Sequence, residues 1–329
     1  MFIFRGCQLT ARALAAAALF VTLGSAAHAD AYPSKTITLV VPQAAGGSTD
    51  AISRMWAQYA STKLGQSVIV DNRPGAGGSI AVQTVMNQPA EGYSILSAGV
   101  SQMVLNKFAY KSLPYSPEKD LKGIALLTTT PFLLTASKES GIKNLEDLVR
   151  IAREKPGSLN YATAGLGNST HVVVELLQQQ LGVQMTSVPY TGEAAGMTAL
   201  LGGQVQLMAP TMGTGAPFAK TGKTVPLVVL GGLSNPNLPN VPRAVEKGLK
   251  NFAGIGWLGL AVRAGTPPDI VTRLHSITAE FLKDPEVVKR LTALEVEPMP
   301  GPQDAFDKKI AADTEMWGAI LKNIDLASK

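Results

Sequence analysis

Short runs of β-branched and apolar residues recur along the chain, separated by stretches in which apolar positions return every three to four residues. The runs "TITLVVP", "SVIVDN", "YSILSAG", "GIALLTTTPFLLTAS", "LNYATAG", "TSVPYTG", "VQLMAP", "VPLVVLGG", "LGLAV" and "VEPMP" predict strands. The periodic stretches Thr49 to Leu64, Leu145 to Glu154, Thr170 to Leu181, Ala194 to Leu201, Ile270 to Leu282 and Asp304 to Lys322 predict helices. Three helix starts carry clear signals: Asn144 before "LEDLVRIA", Thr266-Pro267-Pro268, and Pro302-Gln303-Asp304. Strands alternating with helices argue for an α/β protein with parallel sheets, whose ligands sit beyond the carboxyl ends of the strands.

Two strand-to-helix connections share one design. "VVPQAAGGSTDAISRMWAQ" in the first half and "LNYATAGLGNSTHVVVELLQQ" in the second each run from a strand through a small glycine loop, then hydroxyl residues, into a helix. Asn168, Ser169 and Thr170 are all good N-caps, so capping alone accounts for the second loop taken singly. Taken together, the two loops aim backbone N–H groups and two positive helix ends at one cleft, which suits a small anion. A helix terminus contributes roughly 0.3–2 kcal/mol toward a nearby negative charge, and each hydrogen bond to an ionised group roughly 1.5–3 kcal/mol. A carboxylate can be held in this way without an arginine.

The amino-terminal residues follow a different pattern. Arg5 and Arg12, the apolar run Leu14 to Leu23 and the small-x-small site Ala27-His28-Ala29 read as a secretory leader over residues 1–29, too short in its apolar part for a spanning helix. Removing it takes away Cys7, the only cysteine, and leaves 27 basic against 24 acidic side chains. So weak a basic excess, with no basic run, gives no case for nucleic acid. The remaining 300 residues exceed a usual single core, which makes two domains the expectation.

Motifs for chemistry are incomplete. In "VIVDNRPGAGGSIAVQ", Ile80 stands where the third glycine of a dinucleotide fingerprint belongs, and Pro74 with its glycines reads better as a tight turn. "TGKT", Thr221 to Thr224, resembles the end of a phosphate loop, but a strand rather than a helix follows it. His171 follows "GNST" and His275 lies within a periodic helix, with neither a nucleophile elbow nor metal-ligand spacing around them. No catalytic residue, metal or cofactor is therefore assigned.

The strings "YPSKTITLVVPQAAGGSTD", "VIVDNRPGAGGSIA", "KPGSLNYATAGLGNSTH", "VPYTGEAAGMTALLGGQVQLM", "LPNVPRAVEKGL" and "GWLGLAVRAGTPPDIVTRL" resemble, in order and spacing, the Bug or TctC family of periplasmic solute receptors. The resemblance implies a type II periplasmic-binding-protein fold: two α/β lobes joined by a hinge of crossing strands. Lobe one would run from Ala31 to Ala125 and from Leu233 to Lys329, and lobe two from 126 to 232, with "ALLTTTPFLLTAS" and "PLVVLGGLS" as crossovers. It implies a non-enzymatic, monomeric receptor in the periplasm that hands a small organic acid to the inner-membrane permease subunits of a tripartite tricarboxylate transporter. An enzyme acting on small acids and a sensor without a transport role are the alternatives.

The resemblance also implies a site. Family members grip one carboxylate with two loops, which map here onto Gln43, Ala45, Gly46, Gly47, Ser48, Thr49 and Asp50, and onto Gly165, Gly167, Asn168, Ser169, Thr170 and His171. Ser101 and Gln102 follow the strand "YSILSAG" on lobe one, and Thr191, Ala194 and Ala195 edge lobe two. The chain departs from many members in two places. Gln43 opens a "QAAGG" loop where an aromatic is usual, and "VQLMAPTM", with Thr211, lacks an aspartate that would meet a ligand amine. The expectation is an acid without an ammonium group, a di- or tricarboxylate or an aromatic acid. Met208 and Met212 are open between cleft lining and core, and Asp50, spaced for a pair with Arg54, between ligand contact and a structural role.

Overall fold

The computed structural model describes residues 32–231, 237–252, 256–322, 324 and 326; the leader expected over 1–29 lies outside them. The unit from Lys35 to Lys329 contains two sheets. The first has six strands in the order β11-β4-β10-β3-β1-β2. Its members are β1 (Ile37–Val41), β2 (Val68–Asn72), β3 (Ser94–Gly99), β4 (Leu121–Thr130), β10 (Gly256–Arg263) and β11 (Glu297–Pro298). The second has five in the order β7-β6-β8-β5-β9. These are β5 (Phe132–Ser137), β6 (Asn160–Thr163), β7 (Thr186–Pro189), β8 (Leu207–Met208) and β9 (Thr224–Leu230).

The apolar runs of β1 and β5 become strands buried on both faces, with side chains almost wholly buried. The run 123–137 yields two strands, because Pro131 has no N–H to donate to a ladder and the chain changes sheet there. The sheets are mixed where parallel ones were expected. β1 pairs in parallel with β2 and β3, and β6 with β7 and β8. β10 runs antiparallel to β3 and β4, and β5 to β8 and β9, because strands arriving from the other sheet enter in the opposite sense. After β9 the segment 237–252 returns to the five-stranded side: Arg243 bridges to Val229, Lys247 pairs with Glu146 at 2.7 Å, and Gln180 Nε2 donates to Lys250 O at 2.8 Å.

The helices are α1 (Ser48–Leu64), α2 (Ser79–Met86), α3 (Leu145–Glu154), α4 (Ser169–Leu181), α5 (Glu193–Leu201), α6 (Met212–Lys220), α7 (Pro268–Phe281), α8 (Pro285–Ala293) and α9 (Ala305–Leu321). The start signals act as expected at α3, where Asn144 Oδ1 accepts the Asp147 N–H at 2.8 Å, and at α7, which carries proline in its first turn. The sequence reading missed α8, which Asp284 caps by accepting the N–H groups of Glu286 and Val287. No helix among the described residues is long and apolar enough to cross a membrane.

Trp56 of α1 is fully buried and donates its indole N–H to Thr278 Oγ1 of α7 at 3.0 Å, fixing the two helices together. Phe306 of α9 lies edge-on to Trp257 at 5.6 Å and covers β4 and β10 where both carry glycine. A Cβ at Gly259 would stand 2.6 Å from the Phe306 ring and 2.7 Å from the Ala125 carbonyl oxygen. Asp50 organises the start of α1. Its carboxylate accepts from Arg54 Nε at 3.0 Å, Asn72 Nδ2 at 3.0 Å and the Gly46 N–H at 3.2 Å. Burial opposes ionisation of this group, but the donors from Arg54, Asn72 and Gly46 outweigh it and hold the carboxyl below its ordinary value of 3.8.

Two outcomes follow for stability. Gly259→Ala should lower urea-unfolding stability by about 1–3 kcal/mol, since neither the ring nor the carbonyl has room to withdraw. Asp50 has a depressed folded pKa, so its stabilisation is present above the unfolded value and lost as pH falls through the folded one. Asp50→Asn should therefore be less stable than the parent at neutral pH, with the gap closing as urea midpoints are measured progressively below pH 3.8.

Candidate functional site

After β1 the chain turns through Pro42 and Gln43, and Gly46 takes a left-handed conformation (φ +99°). Gly47 then precedes α1 in extended conformation, with no side chain capping the helix. Ala45 and Gly46 are exposed, whereas Gly47, Ser48 and Asp50 are buried. Asp50 is spent on the hydrogen bonds that shape this loop, which is the structural role left open above. Beyond β3, the chain enters a wide π-helical turn, Ser101–Leu105. Gln102 Oε1 accepts from the Gly99 N–H at 3.2 Å and its Nε2 donates to Gly77 O at 2.9 Å. Its amide thus ties the second glycine cluster to the end of β3. That cluster is a tight turn, with Gly75, Gly77 and Gly78 all at positive φ.

The second loop is built by its own side chains. Asn168 Oδ1 accepts the Thr170 N–H at 3.1 Å, Thr170 Oγ1 accepts the Ala164 N–H at 2.8 Å, and His171 Nδ1 accepts the Gly167 N–H at 3.3 Å. His171 stacks on Tyr161 and lies 3.7 Å from the Glu175 carboxylate, which also accepts from the Tyr161 hydroxyl. Burial and the neighbouring Glu175 charge push the Tyr161 phenol upward, so it remains a donor. Asn168, Thr170 and His171 therefore lie beneath the loop as its scaffold. With Nδ1 occupied by Gly167, His171 is not placed as a base for Ser169, whose hydroxyl bonds to Asn168 at 3.3 Å.

The two loops meet. The Ser169 N–H at the start of α4 donates to Ser101 Oγ at 3.0 Å, and Tyr110 OH donates to Leu166 O at 2.8 Å. Ser48 donates its N–H to Thr214 Oγ1 at 3.1 Å, and its hydroxyl lies 2.8 Å from Thr211 Oγ1. Thr211 in turn donates to Glu193 Oε2 at 2.6 Å. Glu193, fully enclosed at the start of α5, has its pKa raised by burial against the donors from Thr211 and Thr214. At the rim, Ala44 N approaches Thr191 O at 3.4 Å, and a Cβ on Gly46 would come within 3.5 Å of Ala194 Cβ. Ala195 is half-buried beside it.

Between the sheets lies a cavity of about 40 Å³, above the roughly 10–15 Å³ that one water requires. Of the expected residues, Gln43, Ser48, Thr49, Ser101, Gln102, Ser169 and Thr211 line it. Gly165, Gly167, Thr191, Ala194 and Ala195 shape the loops or rim without lining it. The rest of its lining was missed by sequence reasoning: Ile52 of α1, Thr128 and Thr130 of β4, Phe132 of β5, and Trp257 and Leu258 of β10. The only hint was the crossing stretch "TTTPF". Among the described residues, no Lys, Arg, His, Asp or Glu lines the cavity, and no group of three or more His, Cys, Asp or Glu is arranged to hold a metal. Met208 and Met212 are fully buried in apolar clusters away from it, so both are core. The arrangement can hold an anion by helix ends and hydroxyls; it offers no activated nucleophile.

Residues 52–326 match the model of the tripartite tricarboxylate transporter family receptor, TctC. Among solved structures, the chain is similar to the Rhodopseudomonas palustris protein Rpa4515 with adipate (30% identity, TM-score 0.85, covering 88% of this chain and 97% of that one). It is likewise similar to MatC from the same organism with bound malate (31%, TM-score 0.83, 88% and 100%). A third neighbour is the periplasmic binding protein BugD (30%, TM-score 0.84, 88% and 98%). Two mixed sheets meeting at a loop-lined cleft are the two-lobed type II fold of these proteins, and the chain belongs to the Bug/TctC family of periplasmic solute-binding receptors.

Proposed function

We propose that this receptor is exported to the periplasm by cleavage after Ala29. There it captures a small organic acid as a monomer and delivers it to the permease subunits of a tripartite tricarboxylate transporter. The observation that carries the reading is the meeting of two helix N-termini, from opposite lobes, at one cavity with no charged side chain in its wall. An acid's carboxylate brings the missing charge, and each helix end favours it. The solved relatives with adipate and malate support the same ligand class.

The ligand's carboxylate takes the place among Ser48, Thr49, Ser101 and Ser169 where hydroxyl oxygens now accept N–H groups. A charged acceptor makes stronger hydrogen bonds than a hydroxyl, so the exchange is favourable. Closure is a hinge motion about strands that cross between the lobes, one of them at Pro131, and 237–252 moves with the five-stranded lobe.

Two experiments test the proposal. Carboxylic acids at a hundredfold excess over their dissociation constant should stabilise the exported protein by about 2.7 kcal/mol in a thermal-shift screen. A rise in melting temperature with nucleotides alone would defeat it. Ser101→Ala should weaken acid binding by roughly 10- to 150-fold, the worth of a hydrogen bond to an ionised group, and should also lower the ligand-free melting temperature, because the Ser169 N–H loses its acceptor. Gln102→Leu should lower the melting temperature too, because its amide holds Gly77 and Gly99.

A further inference from the structure

The cavity is lined by two residues with a buried polar atom that the fold itself leaves unbonded. Thr128 on β4 is 0% exposed, and its hydroxyl has no hydrogen-bond partner among the described residues. Gln43 Oε1, from the loop after β1 of the same six-stranded lobe, is a buried atom in the same condition. Both residues line the cavity. Buried polar groups are nearly always satisfied, and each that is not destabilises the fold by about 1–3 kcal/mol. Because Thr128 lines a cavity, its hydroxyl can take a bonding partner from outside the chain.

We propose that Thr128 and Gln43 form a hydroxyl-recognition subsite, and that the ligand is a short hydroxylated monocarboxylic acid. The inference rests on the receptor reading above and narrows its ligand. An amide oxygen only accepts, so the ligand must bring a donor to Gln43. A second ionised carboxylate brings acceptors alone, and with no Lys, Arg or His in the wall it would be buried without countercharge. An ammonium brings donors, but no acidic side chain lines the cavity to balance it. A hydroxyl is neutral and both donates and accepts. It donates to Gln43 Oε1, and the same or a neighbouring hydroxyl completes Thr128 Oγ1. Ile52, Phe132, Trp257 and Leu258, all buried, supply the apolar surface for the carbon chain between hydroxyl and carboxylate.

The test is calorimetric titration of the exported protein with butyrate, 2-hydroxybutyrate, 3-hydroxybutyrate, succinate and 2-aminobutyrate. One hydroxybutyrate should bind at least about tenfold tighter than butyrate, succinate and 2-aminobutyrate, a modest demand for a site built to bond a hydroxyl. Thr128→Val and Gln43→Met should each remove most of that advantage while leaving butyrate affinity unchanged. Because the Thr128 hydroxyl has no bond to lose, Thr128→Val should also leave the ligand-free melting temperature unchanged or raised. If the acids bind with no advantage for a hydroxyl, or both variants retain the advantage, the subsite is overturned and the receptor reading stands. If none of the five binds, the subsite is overturned. If the wider acid screen also fails, the receptor reading falls with it.

Discussion

Everything at the cleft depends on a hydroxyl-to-backbone contact across it: Ser101 of one lobe accepts the first N–H of the helix that opens the other lobe's loop. A helix start cannot be left with unsatisfied N–H groups in a buried place, so each terminus here needs an acceptor from the opposite lobe. Ser101 serves α4, and Thr214 serves α1 through the Ser48 N–H. The lobes are therefore complementary in hydrogen bonding before any ligand is considered. On the proposed reading, the ligand's carboxylate enters as a better acceptor in a place already shaped for one. Around these contacts the backbone must come close, and Gly213 shows how close: a Cβ there would lie 2.4 Å from Leu294 O.

Much of the fold was legible because its signals are local. Strands such as β1 and β6 are apolar runs, α3 carries its cap in Asn144, and both glycine loops sit between a strand and a helix in plain view. The mixed sheet order was not legible, because β10 finds β4 across the full length of the second lobe and no local pattern encodes that partner. The site divides in the same way. Ser48, Thr49, Ser101 and Ser169 lie in the connections after their strands, and the structure places them in the lining of the cavity. Asp50, Gln102 and His171 were named with them, yet their polar atoms serve Gly46, Gly77 and Gly167. Residue type and position are alike in both groups; only the three-dimensional partner separates them. Thr128 was invisible for the opposite reason. A threonine within "ALLTTT" reads as an ordinary β-branched strand residue, and only burial without a partner singles it out.

The absence of any cation from the cavity wall has a thermodynamic consequence suited to a carrier. A carboxylate buried against an arginine would be held by a pair whose separation typically costs about 3–5 kcal/mol, because the abandoned guanidinium would remain buried and unpaired. Helix ends and hydroxyls behave differently. When the acid leaves, Ser169 N–H returns to Ser101 Oγ and Ser48 N–H keeps Thr214 Oγ1, so the released site satisfies itself. On the proposed reading, an anion is held through several charge-assisted hydrogen bonds, each worth roughly 1.5–3 kcal/mol, without stranding a charge on release. A receptor that must bind tightly enough to collect its solute and yet surrender it needs that symmetry between the bound and emptied cleft.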